Sequence, residues 1–163
     1  MKFIKILALV LLLLKSWSFI SQNKVNIKLK INLLPVENRK GRLKKCRVKI
    51  YRNNIELQNY ILSGNKIKKK LTTRGIYKIV FSKDSYVSKH LIIDAVNVPN
   101  KKKKQFLKAD ITLFHNTKND DVGFLEKEPI SIAYYDYVTK QIRWDFEYYR
   151  ATVEKIIKAQ ISN

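Results

Sequence analysis

The chain has 163 residues, of which 45% are hydrophobic, so it is long enough for one domain with an appendage and too apolar for a disordered polypeptide. Four Gly and three Pro exclude a collagen-like or Gly-rich repetitive fold, and the single cysteine, Cys46, excludes an internal disulfide. The formal charge is +21, and residues 22–108 hold most of it, with 24 Lys or Arg against 4 Asp or Glu. This excess predicts an anionic partner, with a lysine-rich composition that has no function as the alternative.

The first 21 residues have the pattern of a secretory signal peptide. A basic start at residues 1–5 precedes nine consecutive apolar residues at 6–14, and the small residues Ser16 and Ser18 follow. A membrane-spanning helix needs roughly 20 apolar residues, and the run has about half that number, so a leader that stays uncut as a membrane anchor is the less favoured alternative. We therefore expect cleavage and export to the periplasm or the outer membrane, with the extracellular space as the alternative. No cysteine lies directly after the leader, so a lipid anchor is not expected.

A first strand is predicted at residues 24–33, where polar and apolar side chains alternate. Its apolar face holds Val25, Ile27, Leu29 and Ile31, and its polar face holds Lys24, Asn26, Lys28 and Lys30. Residues 34–45, with Pro35 among several charges, are predicted to form a loop.

A hairpin is predicted after this loop. Residues 46–51 alternate again, with Cys46 on the apolar side, where we expect its thiol to act as a small buried hydrophobic group. Asn53-Asn54 precedes a second short strand at 55–57 and favours a tight turn, because Asn tolerates a positive φ.

Four further strands are predicted before residue 115. They lie at 66–71, 76–81, 86–94 and 106–114. The first of them carries four lysines and is predicted to be an exposed edge, where lysine prevents pairing with other chains. The second is rich in β-branched and aromatic residues and is predicted to be central. Together the seven strands predict a seven-stranded antiparallel β-sandwich over residues 22–115.

A β-hairpin and an amphipathic helix are predicted for the C-terminal extension, residues 116–163. Residues 130–134 and 142–146 alternate around a turn near Thr139. Asp145 is placed to cap the helix, whose apolar stripe comprises Tyr149, Val153, Ile156, Ile157 and Gln160. The stripe is expected to pack on the rest of the protein or, alternatively, to dock a partner.

Residues 46–99 resemble the carboxypeptidase-regulatory-like domain, a seven-stranded transthyretin-like sandwich found in envelope proteins of Gram-negative bacteria. The matching segments are Val-Lys-Ile-Tyr-Arg-Asn-Asn at 48–54, Arg-Gly-Ile-Tyr-Lys-Ile-Val-Phe at 74–81 and Ser-Lys-Asp-Ser-Tyr-Val-Ser-Lys at 82–89. Ser85 stands where the family usually has Gly. The resemblance implies the sandwich fold and an envelope setting. It implies no catalytic residue, since the domain itself is not the peptidase.

No catalytic or cofactor site is predicted. His90 and His115 are the two histidines, and neither lies in a nucleophile motif. Residues 119–121 with Glu126 and Glu128 form the best carboxylate cluster, which we interpret as a solvated loop rather than a calcium site. No Gly-rich phosphate-binding motif is present. We therefore predict that the protein is not an enzyme and uses no metal and no cofactor.

The predicted function is a non-catalytic exported envelope module that contacts a protein partner or an anionic envelope surface. Membrane association is expected to be peripheral at most, and nothing indicates a strong homo-oligomer. Candidate contacts with an anionic surface are Lys66, Lys68, Lys69, Lys70, Lys101, Lys102, Lys103 and Lys104. A face for a protein partner or a sugar is predicted at Tyr134, Trp144, Tyr148 and Tyr149. The alternatives are a carbohydrate-binding module on that hairpin and a nucleic-acid-binding basic protein, and export argues against nucleic acid.

Overall fold

The computed structural model describes residues 24–35, 43–99, 104–116 and 122–161. Within them the chain is mainly β, with nine strands, a 3-10 turn at Gly123–Glu126 and one α-helix. The strands are β1 (Lys24–Pro35), β2 (Cys46–Arg52), β3 (Ile55–Leu62), β4 (Lys66–Thr73), β5 (Ile76–Ser82), β6 (Lys89–Asp94), β7 (Gln105–Leu113), β8 (Ser131–Asp136) and β9 (Gln141–Trp144). The helix α1 spans Phe146–Ile161.

The strands form two mixed sheets. One has three strands in the order β4-β1-β7, and the other has six in the order β3-β2-β5-β6-β8-β9. Neighbouring strands are antiparallel except for β1 with β7 and β6 with β8, which are parallel. β1–β7 match the seven strands predicted within residues 22–115, and β8 and β9 match the predicted hairpin. The prediction that the seven strands form an all-antiparallel unit by themselves is wrong, because two pairs are parallel and because β8 and β9 join the larger sheet. Alternation identifies a strand but not its direction, and the long connections on either side of β7 allow the crossovers that parallel pairing needs.

Individual strands follow the predicted alternation closely. On β1, Val25, Ile27, Leu29, Ile31 and Leu33 are all buried, as the period of two requires. The turn between β2 and β3 has both asparagines at positive φ, 49° for Asn53 and 67° for Asn54, which confirms the predicted hairpin. As predicted, β4 lies at a sheet edge and β5 in a sheet interior.

The strand predicted at 86–94 begins later, at Lys89. Before it, Tyr86 forms an isolated bridge with His115, and the backbone N–H of Val87 donates to the carbonyl of Phe114 at 2.9 Å. The chain ahead of β6 is thus tied to the end of β7 rather than to its own sheet. This tie brings the two sheets together at one end.

The buried faces of both sheets belong to one hydrophobic core. Its largest fully buried side chains include Ile27, Ile31 and Leu33 from the three-stranded sheet and Ile79, Phe81, Leu91 and Ile93 from the six-stranded sheet. Each such side chain contributes about 1.5–3 kcal/mol by leaving water. Packing between the two faces therefore supplies the main stabilisation of the fold.

The C-terminal hairpin and helix form as predicted. β8 pairs in parallel with β6, and β9 closes the sheet beside β8, so residues on both sides of the predicted boundary at 115/116 share one sheet. The carboxylate of Asp145 accepts a hydrogen bond from the backbone N–H of Tyr148 at 3.0 Å, which caps the first turn of α1. Farther along the helix, Ile156 is buried in the common core.

Candidate functional site

The outward face of the three-stranded sheet carries lysines that lie in register across its strands. Lys28 lies opposite Lys70, and Lys30 lies between Lys68 on one side and Lys108 on the other. All of these side chains are exposed, as is that of Lys66. We call the set the lysine face, and its members are Lys28, Lys30, Lys66, Lys68, Lys70 and Lys108.

Little negative charge compensates the lysine face. Like charges placed directly opposite on neighbouring strands destabilise a sheet by a few tenths to about 1 kcal/mol per pair. Asp110 shares the face, and its carboxylate accepts a hydrogen bond from the amide of Asn32 at 2.5 Å. Among the described residues, the ion pairs Arg143–Asp136, Arg150–Glu147 and Lys155–Glu128 all lie elsewhere. An anionic partner that contacts the lysine face would therefore relieve the repulsion between its lysines.

An aromatic side chain lies among these lysines. Phe106 lies in register with Lys28 and is 64% exposed. The Lys28 ammonium is 5.8 Å from the centroid of the Phe106 ring. A large apolar group surrounded by cations suits a target that combines negative charge with apolar or aromatic surface.

The lysines predicted from the sequence to contact an anionic surface do not all lie on one face of the sheet. Lys66, Lys68 and Lys70 point outward on β4, whereas Lys69 points to the other side, with its ammonium 4.9 Å from the Tyr60 ring centroid. Lys104 is exposed just before β7. Lys101, Lys102 and Lys103 lie outside the described residues.

Sequence reasoning missed three members of the lysine face. The alternation predicts that Lys28 and Lys30 lie on the polar face of their strand without indicating a site, and Lys108 is not among the predicted contacts. The signal that could have identified them is the alternation itself, which places each of them outward. What the sequence does not encode is that β1 lies between β4 and β7.

A groove of about 660 Å³ lies beside the free edge of β7. Leu91 on β6 lies in register with Ser131 on β8, so both side chains are on one face of the six-stranded sheet and form part of the floor. One wall is β7, and the other is the predicted stripe of α1, in which Tyr149, Val153, Ile156 and Ile157 are followed by the polar Gln160. The stripe predicted from the sequence therefore faces an open groove, with Ile156 as its buried member.

Lys89 lies at the base of this groove and is only 2% exposed. Its ammonium donates a hydrogen bond to the carbonyl of Thr112 at 2.6 Å and lies 3.3 Å from the centroid of the Phe114 ring. No ion pair of the described residues involves it. Burial lowers the pKa of Lys89 to about 7. A lysine of this kind in a concave, mostly apolar site is a candidate functional group.

The aromatic residues predicted to form a partner or sugar face are not all brought together. Trp144 and Tyr149 both line the groove, and the Trp144 indole donates to the carbonyl of Lys108 at 2.8 Å. Tyr134 lies in register with Arg143, and its side chain is on the opposite face of the sheet from Trp144. The Tyr148 hydroxyl donates to the carbonyl of Pro129 at 2.9 Å and anchors the start of α1.

Two further titratable groups are buried in the sheets. Cys46 is fully buried, as predicted; its thiol donates to the carbonyl of Ser82 at 3.2 Å, and burial raises its pKa to about 11. His90 lies on the opposite face of β6 from Lys89. Burial, with a smaller effect of the nearby Lys78 charge, lowers the pKa of His90 to about 4. Both groups are therefore uncharged at neutral pH.

The described residues contain no group of three or more His, Cys, Asp or Glu side chains able to hold a metal ion. Residues 119–121 of the predicted carboxylate cluster lie outside them, while Glu126 and Glu128 are exposed. No helix in the described part of the chain combines the length and the apolar character needed to cross a membrane. The predicted signal peptide, residues 1–21, also lies outside the described part.

Comparison of the chain with protein-family models and with curated proteins finds no match.

Proposed function

We propose that the protein is a non-catalytic binding module that attaches to an anionic surface through the lysine face. The observation that carries this proposal is the register of the lysines, which places Lys28 opposite Lys70 and Lys30 between Lys68 and Lys108. Rows of like charge are unfavourable in a sheet by themselves. Contact with a negatively charged surface converts this repulsion into attraction.

The expected strength follows from the number of lysines. A lysine near an anionic membrane surface contributes about 1 kcal/mol at low salt, and the effect falls off within a Debye length of about 10 Å at 0.1 M salt. The lysine face presents its six ammonium groups on one side of one sheet, so they reach a flat target together. Phe106 adds an apolar group that inserts between headgroups.

We further propose that this surface belongs to the cell envelope. The leader pattern at residues 1–21 supports export, and the resemblance to the carboxypeptidase-regulatory-like domain supports a transthyretin-like sandwich in that setting. One conformational detail agrees with the resemblance: Ser85, which replaces the usual glycine, has a positive φ of 66°. A position that requires the left-handed region explains the family's preference for glycine there.

Sedimentation with lipid vesicles tests the proposal. Wild-type protein is expected to bind vesicles of phosphatidylcholine and phosphatidylglycerol, and not vesicles of phosphatidylcholine alone. The double variant Lys30→Glu/Lys68→Glu reverses two directly opposed charges, and its affinity is expected to fall at least about tenfold. Binding by wild type is also expected to weaken steeply with added salt.

The matched control is Lys44→Glu/Lys127→Glu, which makes the same change in net charge at two exposed lysines outside the face. A control that loses as much affinity as the face variant means that only net charge matters, and the proposal of a dedicated face is then wrong. Circular dichroism spectra of both variants establish that each retains its fold.

Phe106 supports a second candidate, single-stranded nucleic acid. Such proteins combine a basic surface with exposed aromatic rings on which bases stack, and Phe106 is 64% exposed beside Lys28. Under this alternative, Phe106→Ala weakens binding of a single-stranded oligonucleotide more than it weakens vesicle binding. The opposite ranking supports the envelope surface.

A further inference from the structure

The groove beside β7 is a second site, which borders the lysine face at Lys108. It is built from four strands and the helix, with β6 and β8 as floor, β7 and α1 as walls, and Trp144 of β9 at one end. Its volume of about 660 Å³ lies within the range of roughly 300–1,000 Å³ typical of small-molecule sites. The concavity is therefore large enough for a ligand of moderate size.

Most of the lining is apolar, and its polar residues include Lys89, Lys108, Asp110, Thr112, Ser131 and Gln160. Leu91, Ile111 and Ile130 line it together with the α1 stripe, in which Tyr149 and Ile157 are about half-exposed, at 47% each. Exposed apolar side chains of this extent, aligned along one groove, favour a partner with an extended apolar surface.

The polar group at the base is the ammonium of Lys89. It has three donor hydrogens, and its described contacts are one carbonyl, that of Thr112, and one aromatic ring, that of Phe114. A buried cation without a counter-ion is unfavourable, and a carboxylate is the partner that compensates it best. The site thus combines one unpaired buried positive charge with an apolar channel.

We propose that the groove binds a long-chain carboxylate, with the headgroup paired to the Lys89 ammonium and the apolar chain lying along the stripe of α1. The argument for this occupant is charge complementarity at the base together with apolar complementarity along the wall. A single-chain amphiphile with one negative charge satisfies both requirements. No covalent step is involved.

The depressed pKa of Lys89, about 7, is consistent with this assignment. Without a ligand, burial disfavours the ammonium, whereas a bound carboxylate favours it. The other charged groups that line the groove, Lys108 and Asp110, lie on the exposed side of β7 and are of opposite sign. Lys89 is therefore the charged group placed to meet a headgroup inside the groove.

Calorimetric titration of the full chain with dodecanoate and with dodecanol tests the proposal, since the two ligands differ only in the headgroup. Wild type is expected to bind dodecanoate at least about tenfold more tightly than dodecanol, as a charge-assisted hydrogen bond predicts. In Lys89→Met, which keeps an unbranched side chain of similar length, this preference is expected to disappear while dodecanol still binds. Lys66→Met on the lysine face is the matched control and is expected to keep the wild-type preference.

Three results would overturn the proposal: no binding of either ligand to wild type, equal binding of both by wild type, or an unchanged preference in Lys89→Met. If Lys89→Met does not fold, Val153→Trp provides a second test, because Val153 lies half-buried on the groove wall. A larger side chain there is expected to abolish binding of both ligands, and retained binding contradicts the location. Vesicle binding through the lysine face is expected to persist in both variants, so failure of one proposal is distinguishable from failure of the other.

Discussion

The lysine face and the groove both border β7, and they place the same chemical group in opposite surroundings. On the face, lysines such as Lys30 and Lys68 are exposed and lie directly opposite one another. In the groove, Lys89 is 2% exposed and has a carbonyl and an aromatic ring as its partners. The lysine face holds many charges that are exposed to water, whereas the groove holds a single charge that is shielded from water.

The comparison shows that the free-energy cost of a lysine to the fold depends more on whether the lysine is buried than on how many lysines lie near it. Two ammonium groups about 4 Å apart in water repel each other by about 1 kcal/mol, and salt reduces this further. A single buried ammonium loses its hydration, and its pKa falls by several units in response. A count of lysines in the sequence therefore emphasises the face and overlooks the groove.

The largest expected effect concerns the pH dependence of stability that Lys89 gives the wild-type protein and that Lys89→Met removes. The pKa of Lys89 is about 7 in the folded protein and near 10.5 in an unfolded chain. Between these values the unfolded chain binds a proton that the folded protein does not, so the free energy of unfolding of wild type rises with pH by about 1.4 kcal/mol per unit. Below pH 7 both states are protonated and this contribution is constant at its least favourable level.

Urea unfolding of wild type and Lys89→Met between pH 6 and pH 9.5 measures this difference. The wild-type curve is expected to rise relative to that of the variant above about pH 7. Below about pH 7 the variant is expected to be the more stable protein by at least about 1 kcal/mol, since it buries no charge. Parallel curves over the whole range would show that Lys89 is not buried as described.

A smaller effect is expected at the helical wall of the groove. Asp145→Ala removes the side-chain acceptor for the Tyr148 N–H, and loss of such a cap lowers the free energy of unfolding by about 1 kcal/mol. Asp145→Asn is the matched control because Asn also caps helices. Thermal unfolding of the two variants distinguishes a cap from a charge effect: equal losses in both would mean that the carboxylate acts through its charge.

The smallest effect is expected on the lysine face. Lys68→Met removes an exposed side chain opposite Lys30, and the free energy of unfolding is expected to change by no more than about 0.5 kcal/mol. The variant is expected to be more stable than wild type at about 0.01 M salt. This difference in the free energy of unfolding is expected to vanish near 1 M salt, because salt screens the repulsion that the substitution relieves. A loss of more than about 1 kcal/mol would mean that Lys68 makes a specific contact and that the face is not simply solvated.

Sequence reasoning predicted the elements of both regions better than their arrangement. The alternation on β1 placed its four predicted inward side chains correctly, and the capping role of Asp145 and the stripe of α1 were also predicted. The order and direction of the strands were not, because side-chain period carries no information on which strands become neighbours. The rows of the lysine face depend on that order.

Lys89 shows a different kind of omission. It has the same parity as the apolar residues Val87, Leu91 and Ile93 of the strand predicted at 86–94, and all four are buried. The alternation therefore already placed Lys89 in the core. Its polarity argued for the outside, since lysine is almost never fully buried without a partner. Where alternation and polarity disagree at one position, a functional explanation is worth testing.

The parallel pairing of β1 with β7 has a consequence for the order of folding. The contact between Asn32 and Asp110 spans 78 residues of chain, so the three-stranded sheet cannot close until most of the protein has been synthesised. At typical synthesis rates this corresponds to a delay on the order of 4–16 s, and contacts of long sequence separation also slow folding itself. The three-stranded sheet is therefore expected to form later than the β2–β3 hairpin, whose strands are adjacent in the chain.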